Sequence, residues 1–425
     1  MIKLIFLYAT STGLQRGLIF LASLILARVF TLEEIGVYIL VQTLSQLIIP
    51  LLTLNVSVAL MREASEHPII TRKLLCLSSG AIFVLWTFAF FIKYLAILPS
   101  WISLGLLLGP IEAIWGLAIA VLQGKECANI IFKISLIKTG TFFCIISFAY
   151  LGYLSMLQVL NYQLVFGVIL SILALICAYA KLITHEQKEN FVTIKQMVNY
   201  SMATLPHTIA LWLSISSDRL FLGMIEDKSI LGGYALAYTM AQTVMVLISG
   251  IITAVPPRVA QEPSIWRDSN FVIKFMQKVA LSSFGVILII LFAWKANEYY
   301  FHFISSNLPN TYLLICIIGV AFSFSTYYVL FASYMYLNRE TNALSFFGLG
   351  IAPINLILMY LLILKFGELG AGIGLICSYL LFGLSYGCVA LRLEPSLKLT
   401  CIPFMKISLL LLTSSIFAAK IIQNL

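Results

Sequence analysis

The stretch STGLQRGLIFLASLILARVF, residues 11–30, is apolar over most of its length. Together with the apolar residues that precede it from Leu4, it is long enough to cross a bilayer as a helix, which takes about 20 residues. It nevertheless carries Gln15 and Arg16 about midway along this run. Because a guanidinium at such a depth costs roughly 3 kcal/mol on insertion scales, Arg16 is expected to have either a partner or a function.

The composition of the whole chain agrees with a membrane location. Of the 425 residues, 61% are apolar and only 10% are charged, whereas a soluble domain is about half apolar and a quarter charged. A formal charge of +9 would suggest a nucleic-acid partner in a soluble protein, but basic residues in a membrane protein mainly set topology. The eight cysteines form no CxxC pair and no cluster with histidine, so we expect neither a metal site nor a disulfide framework.

Apolar runs long enough to span a bilayer recur along the chain. All are predicted as helices, because lipid offers no partner for exposed strand edges. The runs lie near 4–28, 36–60, 72–95, 102–122, 134–153, 159–181, 198–222, 230–254, 273–294, 311–337, 342–364, 368–391 and 402–420. The sequence therefore predicts an all-α polytopic membrane protein. Its predicted parts are a six-helix lobe at 1–183, a linker at 184–200, a second six-helix lobe at 201–393 and a C-terminal apolar helix at 394–425.

Lysine and arginine are distributed unevenly among the loops between these runs. With the N-terminus placed in the cytoplasm, 18 of the 26 basic residues, Lys138 among them, fall on the cytoplasmic side and six on the outer side. The remaining two, Arg16 and Arg219, lie within spans. This bias agrees with the positive-inside rule and indicates that the net charge mainly reflects topology.

The two predicted lobes show a weak internal repeat. A shift of 196 residues superimposes five identical residues in the region of the second span of each lobe. The matched pairs are Gly36 with Gly232, Tyr38 with Tyr234, Leu40 with Leu236, Gln46 with Gln242 and Arg62 with Arg258. Duplicated halves with a site between them are typical of transporters. An even number of spans in each half predicts parallel repeats.

Four segments resemble polysaccharide-repeat flippases, the O-antigen and exopolysaccharide exporters of the multidrug/oligosaccharidyl-lipid/polysaccharide superfamily. LARVFTLEEIGVYILVQTLSQLI (26–48) is similar to the first helix hairpin of that family. ATLPHTIALWLSISSDRLFLGM (203–224) has its proline early and its Asp-Arg pair late in the seventh helix. LGGYALAYTMAQ (231–242) and LKFGELGAGIGLICSYLL (364–381) resemble the entry to the eighth helix and the glycine-rich turn into the twelfth.

The resemblance implies a two-lobed, twelve-helix protein of the bacterial inner membrane with a central cavity. It also implies the substrate, an undecaprenyl-pyrophosphate-linked oligosaccharide that moves from the cytoplasmic to the periplasmic leaflet. The expected partners are this lipid-linked glycan, membrane lipids, and the polysaccharide polymerase and chain-length machinery, with no nucleic acid. The run at 402–420 departs from the family pattern. If it spans the bilayer, the C-terminus is periplasmic; otherwise the run is a tilted or interfacial helix.

Arginines are the first candidates for substrate contact under this resemblance. The planar, permanently charged guanidinium binds phosphate well, so Arg16 could contact the pyrophosphate, or it could serve assembly by pairing with a carboxylate. Arg219 follows Asp218 near the outer end of the seventh span. Adjacent residues do not face each other on a helix, so this pair need not neutralise itself. Arg219 could bind substrate, with Asp218 as a coupling group or counter-ion. Alternatively, the pair could lock helices together, or Arg219 could snorkel to the interface.

Three further polar residues lie within predicted spans. Glu112 follows Pro110 and is the only carboxylate near the middle of any span. It could support proton coupling, serve as counter-ion to Arg16, or be a hydrogen-bonded structural group. Gln46 and Asn55 place amides on the second span, where they could bind sugar hydroxyls or join helices.

Two other functions remain open from the sequence. A membrane-embedded polysaccharide polymerase or ligase has a similar size, but typically carries a large periplasmic loop, and the longest outer break here is about 16 residues (296–311). A drug/cation antiporter of the same superfamily is expected to have an acidic cavity, whereas two intramembrane arginines suggest an anionic substrate. GKECAN (124–129) lacks the rest of a P-loop, so no nucleotide cofactor is expected. The energy source would be an ion gradient or downstream consumption.

Overall fold

A computed structural model describes residues 17–18, 20–95, 97–183, 192–261, 263–266, 268–301, 310–337, 341–393, 395 and 401–424. Across these ranges the chain is almost entirely helical and contains no strand. The predicted all-α class is confirmed.

Fourteen α-helices are present in the described ranges. They are α1 (Phe20–Val29), α2 (Leu32–Thr53), α3 (Val56–Glu63), α4 (Pro68–Tyr94), α5 (Ser100–Gly124), α6 (Ala128–Tyr150), α7 (Met156–Lys181), α8 (Ile194–Ile225), α9 (Lys228–Gln261), α10 (Pro263–Trp266), α11 (Ser269–Ala296), α12 (Thr311–Leu337), α13 (Thr341–Leu393) and α14 (Cys401–Asn424). Within the described residues, ten helices are long and apolar enough to cross a membrane. The chain is therefore a multi-pass membrane protein.

Regular helix is interrupted at two places within long apolar stretches of the sequence. Leu54 and Asn55 both adopt positive φ angles, so the second predicted span consists of α2 followed by the short α3. Gly367 has φ 55° and ψ −131° inside α13, a conformation that glycine adopts without steric cost. The turn at Gly367 separates the predicted runs 342–364 and 368–391, as the sequence indicated.

The helices fold into two compact units, Met1–Phe30 with Val37–Ile209, and Thr31–Gly36 with Ala210–Leu425. In the first unit α5 is the central helix. Its apolar side chains, such as Leu117 and Val121, are fully buried in a cluster that also includes Leu60 of α3, Leu75 of α4 and Ala178 of α7. The first unit therefore has its own apolar core around a single helix.

The second unit is organised around α12, which packs against α9, α11, α13 and α14. The first turn of α2 also belongs to this unit and lies against the first turn of α9. A Cβ atom at Gly36 would overlap the carbonyl of Lys228, and a Cβ atom at Gly232 would overlap the carbonyl of Leu32. Since the shift of 196 relates Gly36 to Gly232 and Leu32 to Lys228, this contact is reciprocal between the repeats.

The last helix, α14, packs along α11 and α12. Lys295 Nζ, at the end of α11, donates a hydrogen bond to the carbonyl of Gln423, at the end of α14, with an N–O distance of 3.1 Å. The Cys316 thiol of α12 donates to the carbonyl of Ser415. The C-terminal ends of α11 and α14 therefore lie at the same level. The helix has 24 residues and is about 36 Å long, but among the described residues its apolar part, Leu409–Asn424, is shorter than the ten candidate spans. That this helix crosses the membrane therefore stays a prediction.

Candidate functional site

An acid–base pair lies near the middle of two helices of the first unit. Glu112 is at the centre of α5, and Lys138 is near the centre of α6. Lys138 Nζ donates to Glu112 Oε2 at 2.6 Å. The predicted run began near residue 134 and so placed Lys138 close to its cytoplasmic end, whereas α6 begins at Ala128 and has Lys138 near its middle. With Lys138 moved into a span, the cytoplasmic count becomes 17 against six.

One surface of α6 is exposed, and Lys138 points away from it. Leu136, Ile137 and Phe148 are exposed on that surface, as is expected of a side that faces lipid. Residues three or four apart share a face of a helix, and Lys138 shares its face with the buried Ile134 and Ile145. Lys138 is therefore directed into the first unit, although 27% of its side chain remains uncovered.

The surface of α5 beside Glu112 is partly open. The Glu112 side chain is 24% exposed, and no atom lies within 4 Å of where a Cβ atom would stand at Gly116, one turn further along. Trp115 forms one wall of this space, because Lys138 Nζ lies 4.4 Å from the centroid of its ring. An ammonium at this distance gains a cation–π interaction. A cation, a carboxylate and an aromatic ring thus border the same opening.

Two further helices add uncharged polar groups to this cluster. Gln42 of α2 donates to the side-chain oxygen of Gln163 of α7 at 3.0 Å. Tyr38, one turn before Gln42, interacts with the side chain of Gln42 and lies within electrostatic range of Glu112. We name the group Tyr38, Gln42, Glu112, Lys138 and Gln163 the open cluster. It brings side chains of α2, α5, α6 and α7 together.

A second acid–base pair lies in the second unit and is enclosed. Asp218 has no exposed surface, and the Arg219 side chain is 12% exposed. Asp218 accepts from Arg219 Nε at 3.3 Å and from the Tyr234 hydroxyl at 2.7 Å. Arg219 also donates to the hydroxyl of Ser216, and its Cζ lies 4.5 Å from the ring centroid of Tyr238. We name Ser216, Asp218, Arg219, Tyr234 and Tyr238 the closed cluster.

The structure shows how Asp218 and Arg219 are arranged. Adjacent helical residues diverge by about 100°, so the pair need not neutralise itself. The long arginine side chain nevertheless folds back, and the Asp218 carboxylate accepts both its Nε and its backbone N–H. The pair is thus satisfied within its own helix and by Tyr234 of α9.

The repeat relates the two clusters. Tyr38 and Tyr234 are equivalent under the shift of 196 residues, and each lies beside the acidic member of an acid–base pair. In the first unit the acid lies on α5 and the base on α6. In the second unit both lie on α8. The duplicated tyrosine is therefore retained while its charged partners differ.

The remaining predicted site residues lie apart from these clusters. Asn55 is buried, and its amide donates to the hydroxyls of Thr204 and Thr208 at 2.9 and 3.2 Å. This contact joins the break after α2 to α8. Gln46, by contrast, is exposed, and so is its repeat equivalent Gln242. Arg16 lies outside the described residues.

Comparison with known proteins places the chain in a family. Residues 1–262 match the family described as "Polysaccharide biosynthesis protein". The chain belongs to this family. The resemblance to polysaccharide flippases that its sequence motifs showed is confirmed. No curated protein matches the sequence.

Solved structures share the fold of this polysaccharide biosynthesis protein. Lipid II flippase MurJ in an inward closed conformation has a TM-score of 0.66 at 13% identity, covering 99% of this chain and 98% of its own. An inward-facing MATE family multidrug resistance transporter of the MOP superfamily has a TM-score of 0.62 at 13% identity, covering 92% and 96%. A MOP superfamily transporter from Pyrococcus furiosus has a TM-score of 0.62 at 12% identity, covering 93% and 96%. At these identities the likeness shows the fold alone.

Sequence reasoning identified Glu112 in this family member but missed its partner. The placement of the fifth span near residue 134 hid Lys138, although the turn residues Gly124, Lys125 and Glu126 end just before α6. The isoleucines that follow this turn continue the apolar pattern and could have revealed the earlier start. Tyr38 was recognised as a repeated residue but not as a group within electrostatic range of Glu112, because the two residues lie on different helices, α2 and α5.

The two clusters differ in what they can do chemically. In the closed cluster each charge already has its partners, so a ligand would have to displace them. In the open cluster a cation and an anion at the middle of their helices border uncovered space. Intramembrane charges with such access typically mark substrate or ion pathways. The open cluster is therefore the stronger candidate for a functional site.

Proposed function

We propose that the protein translocates undecaprenyl-pyrophosphate-linked oligosaccharide repeat units, of O-antigen or a related surface polysaccharide, by alternating access. The direction is from the cytoplasmic to the periplasmic leaflet of the bacterial inner membrane. The observation that carries this proposal is membership of the polysaccharide biosynthesis family in a chain whose fold is shared with a lipid flippase. A transporter needs no catalytic residue, so this proposal assigns none.

The anionic carrier of such a substrate suits the cations within the spans. Arg16 is proposed to bind the pyrophosphate, because a guanidinium matches phosphate oxygens in a bidentate geometry. The predicted span 4–28 would place Arg16 roughly 18 Å from Leu4 at 1.5 Å per residue, a depth expected to keep its guanidinium from either interface. Arg219 is a weaker candidate for substrate contact because Asp218 and Tyr238 already surround it.

The sugar part of the substrate needs hydrogen-bonding groups inside the membrane. Gln46 is proposed to supply one, since its amide lies uncovered on a membrane-spanning helix. A polar group in contact with lipid is costly, so an exposed amide favours a polar space beside it. Asn55 has a structural role in this arrangement, because both of its described acceptors are threonines of α8.

Glu112 is proposed to couple transport to protons. It is the carboxylate at the centre of α5, and its contact with Lys138 leaves about a quarter of the side chain uncovered. Asp218 is unsuited to this role in the arrangement seen, because protein encloses it completely. Coupling would let an ion gradient drive the cycle without a nucleotide.

The orientation proposed for the protein follows from its basic residues. Seventeen lysines and arginines assigned to one side against six on the other support a cytoplasmic N-terminus and a cytoplasmic linker at 184–200. With thirteen spans, the end of α14 then lies in the periplasm.

A deletion strain tests the proposal. Loss of the gene should abolish the surface polysaccharide and leave lipid-linked repeat units in the cytoplasmic leaflet, where an impermeant sugar-oxidising reagent cannot reach them in spheroplasts. Repeat units that reach the periplasmic leaflet but stay unpolymerised would instead indicate a polymerase or ligase. Normal polysaccharide together with increased drug sensitivity would indicate a drug antiporter.

A further inference from the structure

We propose that Lys138 is a binding site for the phosphate group of the transported lipid, and that Glu112 occupies it as an internal competing anion until the substrate arrives. This inference rests on the proposed function and adds a residue and an exchange of partners to it. The shared chemistry is a phosphate or pyrophosphate anion, and we assign it to a lipid-linked pyrophosphate.

The first step is that Lys138 needs an anion. It lies near the middle of α6 on the face that carries Ile134 and Ile145, both buried. Moving an ammonium from water into such surroundings costs several kcal/mol unless a counter-charge is supplied. Glu112 supplies that charge at 2.6 Å.

The second step is that this counter-charge is weakly secured. Among the described residues, the Glu112 carboxylate has Lys138 as its hydrogen-bond donor. Asp218 in the closed cluster accepts from the Arg219 backbone, the Arg219 side chain and the Tyr234 hydroxyl. A carboxylate with one donor is easier to displace than a carboxylate with three, because fewer charge-assisted bonds are lost.

The third step is that the pair is accessible to a ligand. About a quarter of each side chain is uncovered, and the α5 surface at Gly116 is open. A lysine has four rotatable bonds and a compact charge that accepts phosphate as a point-charge partner. Lys138 can therefore turn from Glu112 towards an anion in this opening without a change in its helix.

The fourth step concerns the groups left behind when the phosphate binds. Among the described residues, Lys138 on α6 contacts Glu112, and Tyr38 on α2 lies within electrostatic range of it. When Lys138 turns to the phosphate, Tyr38 remains as a neighbouring hydroxyl for the released carboxylate. Trp115 stays in place beside Lys138 and offers an aromatic face next to the bound head group. After the exchange, the open cluster thus offers the Tyr38 hydroxyl to the Glu112 carboxylate, and the ring of Trp115 lies next to the bound head group.

The experiment measures binding of farnesyl pyrophosphate to the full-length protein in lipid nanodiscs by calorimetry, with farnesol and inorganic pyrophosphate as separate probes. We expect Glu112→Gln to bind farnesyl pyrophosphate about tenfold more tightly than wild type, a change equal to about 1.4 kcal/mol. We expect Lys138→Met to bind it at least about tenfold more weakly. Lys133→Met removes the exposed lysine one turn earlier on α6 and should bind as wild type does.

The sign of the Glu112→Gln effect separates this inference from a structural role. If the pair only holds α5 and α6 together, Glu112→Gln should weaken binding or leave it unchanged, and either result overturns the proposal. Unaltered binding by Lys138→Met overturns it as well. If one of the single variants fails to fold, the double variant Glu112→Gln/Lys138→Met is tested instead, because it removes both charges of the pair and leaves neither unpaired. This double variant should bind at least about tenfold more weakly than wild type, as Lys138→Met does, and wild-type binding by it refutes the inference.

The probes also identify the source of the anion and separate the two proposals. Tighter binding of farnesyl pyrophosphate than of inorganic pyrophosphate supports a lipid head group, whereas binding of farnesol alone overturns the assignment. Failure of the proposed function would appear in the deletion strain as normal polysaccharide. Failure of the present inference would appear as export by Lys138→Met at the wild-type rate in a strain that depends on the protein.

Discussion

The open and closed clusters contain the same kinds of groups and differ in how completely protein surrounds them. Each has a carboxylate, a cation and a tyrosine that occupies an equivalent position in the repeat. In the closed cluster Asp218 is fully covered and accepts hydrogen bonds from Arg219 and Tyr234. In the open cluster about a quarter of both Glu112 and Lys138 is uncovered.

This difference indicates distinct roles for two superficially similar pairs. Breaking a buried ion pair is costly because the remaining charge has no compensation, so a fully satisfied pair has a structural role. Here the hydrogen bond from Tyr234 to Asp218 also joins α9 to α8. An accessible pair can exchange partners at lower cost, since a ligand or water can replace the lost contact. The comparison therefore predicts that variants of the closed cluster affect stability first, while variants of the open cluster affect transport first.

The largest effect is expected on polysaccharide export when Arg16 is replaced. The same variants test whether Glu112 is the counter-ion of Arg16 as well as of Lys138. Arg16→Ala should abolish polysaccharide export in a deletion strain, and Arg16→Lys should retain part of it, because lysine binds phosphate without the bidentate geometry. If Glu112 were mainly the counter-ion of Arg16, the double variant Arg16→Ala/Glu112→Gln would recover export. We expect no recovery, because Lys138 is the partner of Glu112. Normal export by a well-expressed Arg16→Ala protein would refute the role of Arg16.

The next largest effect concerns the closed cluster. Asp218→Asn should lower the free energy of unfolding by about 3–5 kcal/mol, because it leaves the buried Arg219 charge uncompensated. The measurement is denaturant-induced unfolding in mixed micelles. Asp218→Asn/Arg219→Met removes both charges and should regain most of the loss. A loss as large for Glu112→Gln as for Asp218→Asn would remove the distinction between the clusters.

The open cluster should respond in transport rather than in stability. Glu112→Gln is expected to reduce the rate of export severalfold at a normal protein level, because the variant cannot exchange a proton and holds its anion more tightly. Export is measured as surface polysaccharide appearing after induction, across pH 6 to 8. Full activity over this range would favour a purely structural glutamate and count against proton coupling.

The smallest expected effect compares the two repeated tyrosines. Tyr234→Phe removes a hydrogen bond to a fully buried carboxylate, which is worth about 1.5–3 kcal/mol. Tyr38→Phe removes a contact with the neutral Gln42, worth about 0.5–1.5 kcal/mol. The same unfolding measurement on both variants checks the difference. Equal losses would indicate that Tyr38 binds Glu112 as firmly as Tyr234 binds Asp218.

Much of the fold could be predicted from local sequence. Apolar runs of bilayer length located the helices, because in lipid every backbone group must be satisfied within a helix. The turn at Gly367 could also be predicted, since the glycines that follow it mark a tight connection between two runs. The break at Leu54 and Asn55 was missed, because the surrounding residues are as apolar as those of a continuous helix.

The candidate site was only partly predictable for a related reason. Glu112 stood out because a carboxylate at the centre of an apolar run is rare. Lys138 did not, because lysines near a predicted helix end are ordinary topology markers, and an error of six residues in the start of α6 changed its meaning. The self-pairing of Asp218 and Arg219 depends on a side-chain conformation that helical spacing does not specify.

The amino-acid sequence by itself determined that this chain is an all-helical membrane protein with two related halves and a family resemblance to polysaccharide flippases. These properties follow from composition, run length and short motifs, each of which acts along the chain. Only the tertiary structure decided which charges meet and which remain accessible. Whether a carboxylate is enclosed, as at Asp218, or open, as at Glu112, depends on how side chains of other helices pack around it, and this packing sets the cost of exchanging its partner.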